Sequence, residues 1–237
     1  MVDASKLTVE PELDKAVRIY LDFMEEIKTR FNVIAAVIDE FQTQPQTNES
    51  YLKAELAFLQ FRLICELVAL SSLAAHQPYG LADRLMESWN ARLAFRELAK
   101  LNPECFPRPL KIDRMDDGTI EAQVERKGGL TPRGFIRYYM KCGRYLHRGV
   151  VKHAFDGKAK NYDLDALDRW SKRLGRLLSY HTVMILSEGL VLMVNLHGGE
   201  GGRASCAIGK GDGSAAYVKP EDPKPSPRHG KKQSPQP

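Results

Sequence analysis

Cysteine is scarce and scattered in this chain: Cys65, Cys105, Cys142 and Cys206 stand alone, with no CxxC and no Cys/His pair at zinc spacing. That excludes a disulfide framework and a structural zinc, and it points to a reduced compartment. A long uncharged apolar run is missing too. The most hydrophobic stretch, Leu56 to Ala75, is interrupted by Gln60, Arg62 and Glu66, whereas a spanning helix needs about 20 mostly apolar residues. A buried core helix is expected, with no membrane association. The first residues hold no basic segment followed by an apolar one, so no signal peptide is read and a cytoplasmic location is expected. Neither GK[ST] nor a strand–GxGxxG–helix order occurs, so Walker-type and dinucleotide-binding folds are excluded. No metal and no cofactor are expected.

A large charge excess is also lacking. The 35 Lys and Arg against 30 Asp and Glu give +5, and +3 of it falls on the residues from Lys219 onward. The near-neutral remainder argues against a DNA-wrapping or polybasic membrane domain while leaving room for a small basic groove.

What the chain has is helical periodicity. Leu13, Val17, Tyr20, Met24, Ile27, Phe31, Ile34, Ile38 and Phe41 alternate in steps of four and three, an unbroken seam over four heptads. The spacing predicts a helix over about 11–44, roughly 50 Å long, opened near Pro11 and closed by Pro45. Ser50 is read as the cap of a second helix over about 50–76, apolar nearly all round and therefore central. A short connection makes the two an antiparallel hairpin. A third helical stretch runs from Leu81 to Leu101.

The texture then changes. Asp117-Gly118 lies between β-prone residues, giving a small hairpin over about 111–125. Thr131 and Pro132 open a helix through Tyr145 or Leu146, ended by Gly149, and after a polar loop (152–161) another helix runs from Asp163 to about Tyr180. A second hairpin covers about 183–196, with a further strand near Ala204–Ile208. The fold class is mainly α: a long antiparallel helix hairpin in a helical bundle with two small β-hairpins, one domain over 1–208, and a disordered Gly/Pro-rich basic tail over 209–237. Six of the thirteen prolines lie between Pro220 and Pro237, which suits disorder or weak recognition by proline-binding modules.

Glu55, Arg62 and Glu66 sit seven and four residues apart, on one face of an otherwise greasy helix. Buried charges must pair or line a cavity, so this face is either an internal brace with an Arg62–Glu66 pair or a polar pocket. Lys141 to Gly149 concentrates Arg144, His147 and Arg148. Arg144 and His147, three apart, are expected to project from one face of a helix end, where an imidazole beside guanidinium groups can move a proton next to a phosphate the arginines hold. The alternative is a cap on the last carbonyls. Loops 197–202 and 209–213 are glycine-rich and read as flexible rather than phosphate-cradling. His76 and His181 read as helix-end caps.

Two long antiparallel helices, an acidic residue within the second and a later helix with clustered Arg and His resemble the HEPN superfamily, as do the stretches YLKAELAFLQFRLICELVALSSLAAH and KCGRYLHRG. The resemblance covers Pro11–Gly149. It implies an RNA- or nucleotide-directed defence or toxin protein or a metal-independent ribonuclease, with catalytic roles for Glu66, Arg144 and His147 and ligand contacts from Arg62, Arg148 and His153. The family's Arg-to-His spacing occurs at Arg148–His153 and Arg176–His181, while Arg144 and His147 are closer than it. The competing class is a non-catalytic helical interaction protein, with the hairpin forming a homodimer.

Overall fold

The computed structural model describes residues 9–43, 48–81, 85, 87, 90–114, 120–125, 129–147, 162–185, 189–209 and 215–218. The fold is mainly helical. Its helices are α1 (Pro11–Thr43), α2 (Asn48–His76), α3 (Ala91–Leu101), α4 (Pro132–Leu146) and α5 (Leu164–Ser179). Its strands are β1 (Arg108–Arg114), β2 (Ile120–Val124), β3 (Tyr180–Met184), β4 (Val191–Asn195), β5 (Ser205–Gly209) and β6 (Ala215–Val218).

The heptad seam of α1 is used inside the chain. Leu13, Val17, Tyr20, Met24, Ile27 and Ile34 are buried, and Phe31, Ile38 and Phe41 pack half-buried against the same core. Glu12 and Asp14 in the first turn complement the positive helix end. The partner is α2, antiparallel, with Arg30 reaching Gln60 and Lys53 reaching Glu40 across the pair. Because α2 begins at Asn48, Ser50 lies within its first turn and is not its cap. Further along, Ser71 and Ser72 turn their hydroxyls back onto the Val68 carbonyl, at 2.9 and 3.1 Å, so two buried polar groups are satisfied within the helix. The most apolar window of α2 passes a membrane-span test by length and composition, yet 61% of it is buried inside the protein.

Two sequence expectations are corrected here. The third helix is Ala91–Leu101: Asn90 has extended backbone and accepts from Arg92 and Leu93 N–H at 3.1 Å, which starts a new helix there. Both expected hairpins are present, β1–β2 and β3–β4, and they are joined. All six strands form one antiparallel sheet in the order β2-β1-β3-β4-β5-β6, because Arg108 and Pro109 of β1 pair with Thr182 and His181 of β3. A tail starting at 209 is likewise corrected, since Gly209 ends β5 and pairs with Ala215 of β6. The Asp117-Gly118 turn, Gly149, the 152–161 loop and the proline-rich segment after 218 lie outside the described residues.

The sheet's inward rows follow from its register. Val183, Leu192 and Ile208 align in one row, and His181, Val194 and Cys206 in the next, all buried. Tyr20 of α1 meets the second row: its hydroxyl lies 2.6 Å from His181 Nε2. His181 Nδ1 lies 2.9 Å from the Leu178 carbonyl, which can only accept, so Nδ1 carries the proton and Tyr20 O–H donates to Nε2. Burial pulls the imidazole's pKa down to about 4, keeping it neutral. A second neutral histidine repeats the device. His76 Nδ1 donates to the Ser72 carbonyl at 2.7 Å, its Nε2 accepts from Asn102 at 2.8 Å, and Asn102 also donates to the Met184 carbonyl. Both histidines therefore cap helix carbonyls, as the sequence suggests, and both also tie helices to the sheet.

The loop over 197–202 is clamped onto α1: Lys28 donates to the Gly202 carbonyl at 2.8 Å and Glu25 accepts from Ala204 N–H. Gly201 and Gly202 take φ of 65° and 76°, which explains the glycines at these two positions. The loop's role here is structural.

Candidate functional site

The polar face of α2 meets α4. Arg62 Nε donates to Glu66 Oε1 at 3.2 Å, Arg62 Nη2 donates to the Tyr139 hydroxyl at 2.9 Å, and that hydroxyl donates to Glu66 Oε1 at 3.2 Å. The guanidinium also lies 4.5 Å from the Tyr139 ring centroid, a cation–π contact. Burial, with the Glu66 carboxylate beside it, pushes the Tyr139 hydroxyl up to about 12. A Cβ on Gly143 would stand 2.8 Å from Arg62 Nη1, so the missing side chain admits the guanidinium. Three groups thus close a cycle among themselves. Glu55, one turn and more toward the start of α2, accepts from Tyr162.

The remaining sequence-derived residues are elsewhere. Helix α4 ends at Leu146, and His147 is its C-cap with extended backbone (φ −77°, ψ 138°). That cap position still leaves His147 bonded to the helix through its backbone N–H to the Gly143 carbonyl at 3.1 Å. Both are exposed. Tyr139, the neighbour of Glu66, precedes His147 by eight residues, or about 12 Å of helix rise, so Glu66 is grouped with Arg62 and not with His147. Arg148 and His153 lie outside the described residues. At Arg176–His181 the histidine is the buried partner of Tyr20, closed to any ligand. Among the described residues no cluster of three or more His, Cys, Asp or Glu suits a metal ion.

The largest accumulation of unsatisfied chemistry lies on the outside of α4 and α5. These helices run antiparallel, joined by aromatic side chains: Tyr138 stacks on Trp170 with centroids 4.9 Å apart, and Tyr145 packs near Tyr162 at 6.2 Å. Phe58 of α2 stacks on Tyr145 at 4.1 Å and fixes the pair from below. Helix α4 carries Arg133, Arg137, Lys141 and Arg144 and no carboxylate at all. Their spacing of four, four and three places them on one face. Helix α5 answers with Arg169, Lys172, Arg173 and Arg176, its only acids being Asp165 and Asp168 in the first half.

The antiparallel register brings the two rows together. Lys141 lies 5.3 Å from the Trp170 ring centroid, and Arg173 donates to the Tyr138 hydroxyl at 3.2 Å. Of the eight cations, Lys172 pairs with Asp168, and among the described residues no carboxylate pairs with the other seven. Most are exposed. The two rows run for about 16 Å on either side of the Tyr138–Trp170 stack, and we call this basic strip the furrow. Sequence reasoning gave a site role to Arg144 alone of this group and touched Lys141 and Arg176 in passing. The signal was available in α4, where four cations recur at helical spacing without an acid, but the pairing with α5 is tertiary.

Compared with known proteins, the chain matches no family model, no curated protein and no solved structure.

Proposed function

We propose that this protein binds single-stranded RNA through the α4–α5 furrow. The observation that carries this reading is the set of seven cations, Arg133, Arg137, Lys141, Arg144, Arg169, Arg173 and Arg176, collected on two adjoining helices with no carboxylate partner among the described residues. Like charges held this close repel one another, and a polyanion relieves that repulsion while releasing its counterions. Arginine predominates, and its planar fork matches phosphate oxygens. A duplex read by its major groove takes a projecting helix. A furrow with cations on both walls instead tracks one flexible backbone, as in single-strand channels. The acid needed for cleavage is engaged by Arg62 and Tyr139, so binding, and not hydrolysis, is the activity this geometry favours. Arg144 and the exposed His147 at the open end of the furrow extend the binding track.

Fluorescence anisotropy with a labelled single-stranded RNA, titrated at several salt concentrations, tests this. Binding should weaken steeply with salt, with a log–log slope of about −0.7 per phosphate contact. Arg137→Glu combined with Arg169→Glu should weaken it at least tenfold at unchanged thermal stability. Salt-independent binding, no binding, or equal affinity of the double variant would overturn the reading. Preference for single-stranded DNA would keep the furrow and change its ligand.

A further inference from the structure

We propose that a guanine base of the bound strand is read in the cleft at the start of α4, an inference that rests on the furrow's binding RNA. The cleft holds about 580 Å³, within the range that small ligands occupy. It is enclosed by the turn before β1, the end of β2 and the chain entering α4, with Phe106, Pro107, Pro109 and Leu130 as its apolar part. It lies where the furrow ends. Pro132 borders it and Arg133 follows in α4, while Pro109 pairs with His181, five residues beyond Arg176. Because Tyr138 faces Trp170 and Arg173, the antiparallel register brings Arg133 level with Arg176, so both cations stand at this end. A strand leaving the furrow here meets the cleft next.

The free polar chemistry of the cleft selects the base. Proline supplies four of the lining residues and no N–H donor. Glu104 and Arg108 are engaged with each other, and the Thr131 hydroxyl accepts from Gly134 N–H at 3.1 Å. Glu125 remains. Its N–H is fixed by the Pro109 carbonyl at 2.9 Å, and among the described residues its exposed carboxylate has no partner. An ionised carboxylate can only accept, and two parallel donors satisfy it best. Of the four RNA bases guanine alone offers two adjacent donors, N1–H and the N2 amino group, whereas adenine, cytosine and uracil each set an acceptor beside their donor on that edge. A simple cation would also suit Glu125, but Arg133 and Arg176 repel it. A nucleotide brings the phosphate that the arginines attract together with the donors that Glu125 needs.

Anisotropy of the full chain with short labelled strands tests this. Relative to an all-uridine strand, a guanosine at one end or the other should tighten binding about tenfold, and inosine in its place, which lacks the amino donor, should recover little of that gain. In Glu125→Gln and in Gly129→Leu the ratio of the two affinities should fall to about one. Glu125 is exposed, and a Cβ on Gly129 meets only the Pro109 ring, at 3.5 and 3.9 Å, so the added side chain fills the cleft and not the core. Equal affinity for all-uridine and guanosine-ended strands, or a guanosine preference kept by Glu125→Gln, would overturn the inference and leave the furrow standing. If no strand binds, the furrow reading fails, and calorimetry with guanosine 5′-monophosphate decides on the cleft alone. Binding that Glu125→Gln weakens about tenfold supports the cleft, while no binding, or equal binding of adenosine 5′-monophosphate, overturns it.

Discussion

Two antiparallel helix pairs in this molecule are built on opposite principles. The α1–α2 pair is joined along a long apolar seam, and its polar groups are either internally paired or held neutral. Tyr20, His181, His76, Ser71 and Ser72 are all buried and hydrogen-bonded. The α4–α5 pair touches through one line of aromatic rings and, among the described residues, leaves most of its cations without carboxylate partners. Satisfied polarity inside a core specifies geometry. Unsatisfied charge on a surface specifies a ligand. Helix α1 makes the contrast sharper, because its own surface charges are paired at helical spacing, Arg18 with Asp14 and Arg30 with Glu26, whereas α4 has no acid to offer.

The comparison can be broken at several points, and the largest effect is expected in the seam. Ile27→Asp places a charge at a fully buried position between α1 and its neighbours, and should leave the chain largely unfolded by circular dichroism, a loss above about 4 kcal/mol. An unaltered melting curve would show that the seam is not the core.

Acid should act next most strongly on the same region. His181 is neutral in the fold with its pKa lowered to about 4, and His76 is lowered by burial as well. Above about pH 6.5 both are neutral whether folded or not, and their hydrogen bonds are fully present. As the pH falls from 6.5 toward 4, the unfolded chain binds protons that the folded chain refuses, so stability must fall. His181 alone accounts for on the order of 3 kcal/mol across that window. Urea denaturation at pH 7 and pH 4.5 measures it, and His181→Gln should flatten the dependence. Tyr20→Phe comes third: it removes the donor to His181 Nε2 and leaves a buried acceptor unpaired, which should cost about 1 to 3 kcal/mol.

The furrow and its brace should respond differently. Glu66→Gln keeps the shape of the Arg62–Tyr139 cycle but removes its negative charge, and about 1 kcal/mol of stability should go with it in thermal melts. Arg137→Glu with Arg169→Glu should leave melting unchanged or slightly improved, since it relieves repulsion, while RNA anisotropy drops. A double variant that loses stability instead would mean these arginines are structural.

Much of the helical framework was legible in the sequence because it is periodic. The 13–41 seam, Pro132 after the capping Thr131, and the Arg62–Glu66 pair all lie within one element, where 3.6 residues per turn converts spacing into position. Thr131 indeed accepts from Gly134 N–H at 3.1 Å. The single sheet was not legible. Two hairpins about 70 residues apart join only through Arg108 and Pro109 meeting Thr182 and His181, and a pair of proline-interrupted edge residues carries no signal of its partner. The candidate site was half legible for the same reason. One wall of the furrow is written into α4, but its depth depends on Tyr138 finding Trp170, thirty-two positions later.

By itself the sequence determined that the α1 seam must meet a partner helix, with α2 the nearest candidate, since nine apolar residues in heptad steps have no other means of leaving water. It also gave four isolated cysteines, and the fold buries all four as free thiols. Only the tertiary structure decided which polar groups are spent internally and which face outward. Glu66 was drawn to Arg62 and Tyr139, His181 to Tyr20, while among the described residues all but one of the cations of α4 and α5 were brought side by side with no carboxylate paired to them. The physical reason is range: periodicity acts over a few turns of one helix, whereas the pairing of a charge depends on whatever the fold carries to within hydrogen-bond distance of it.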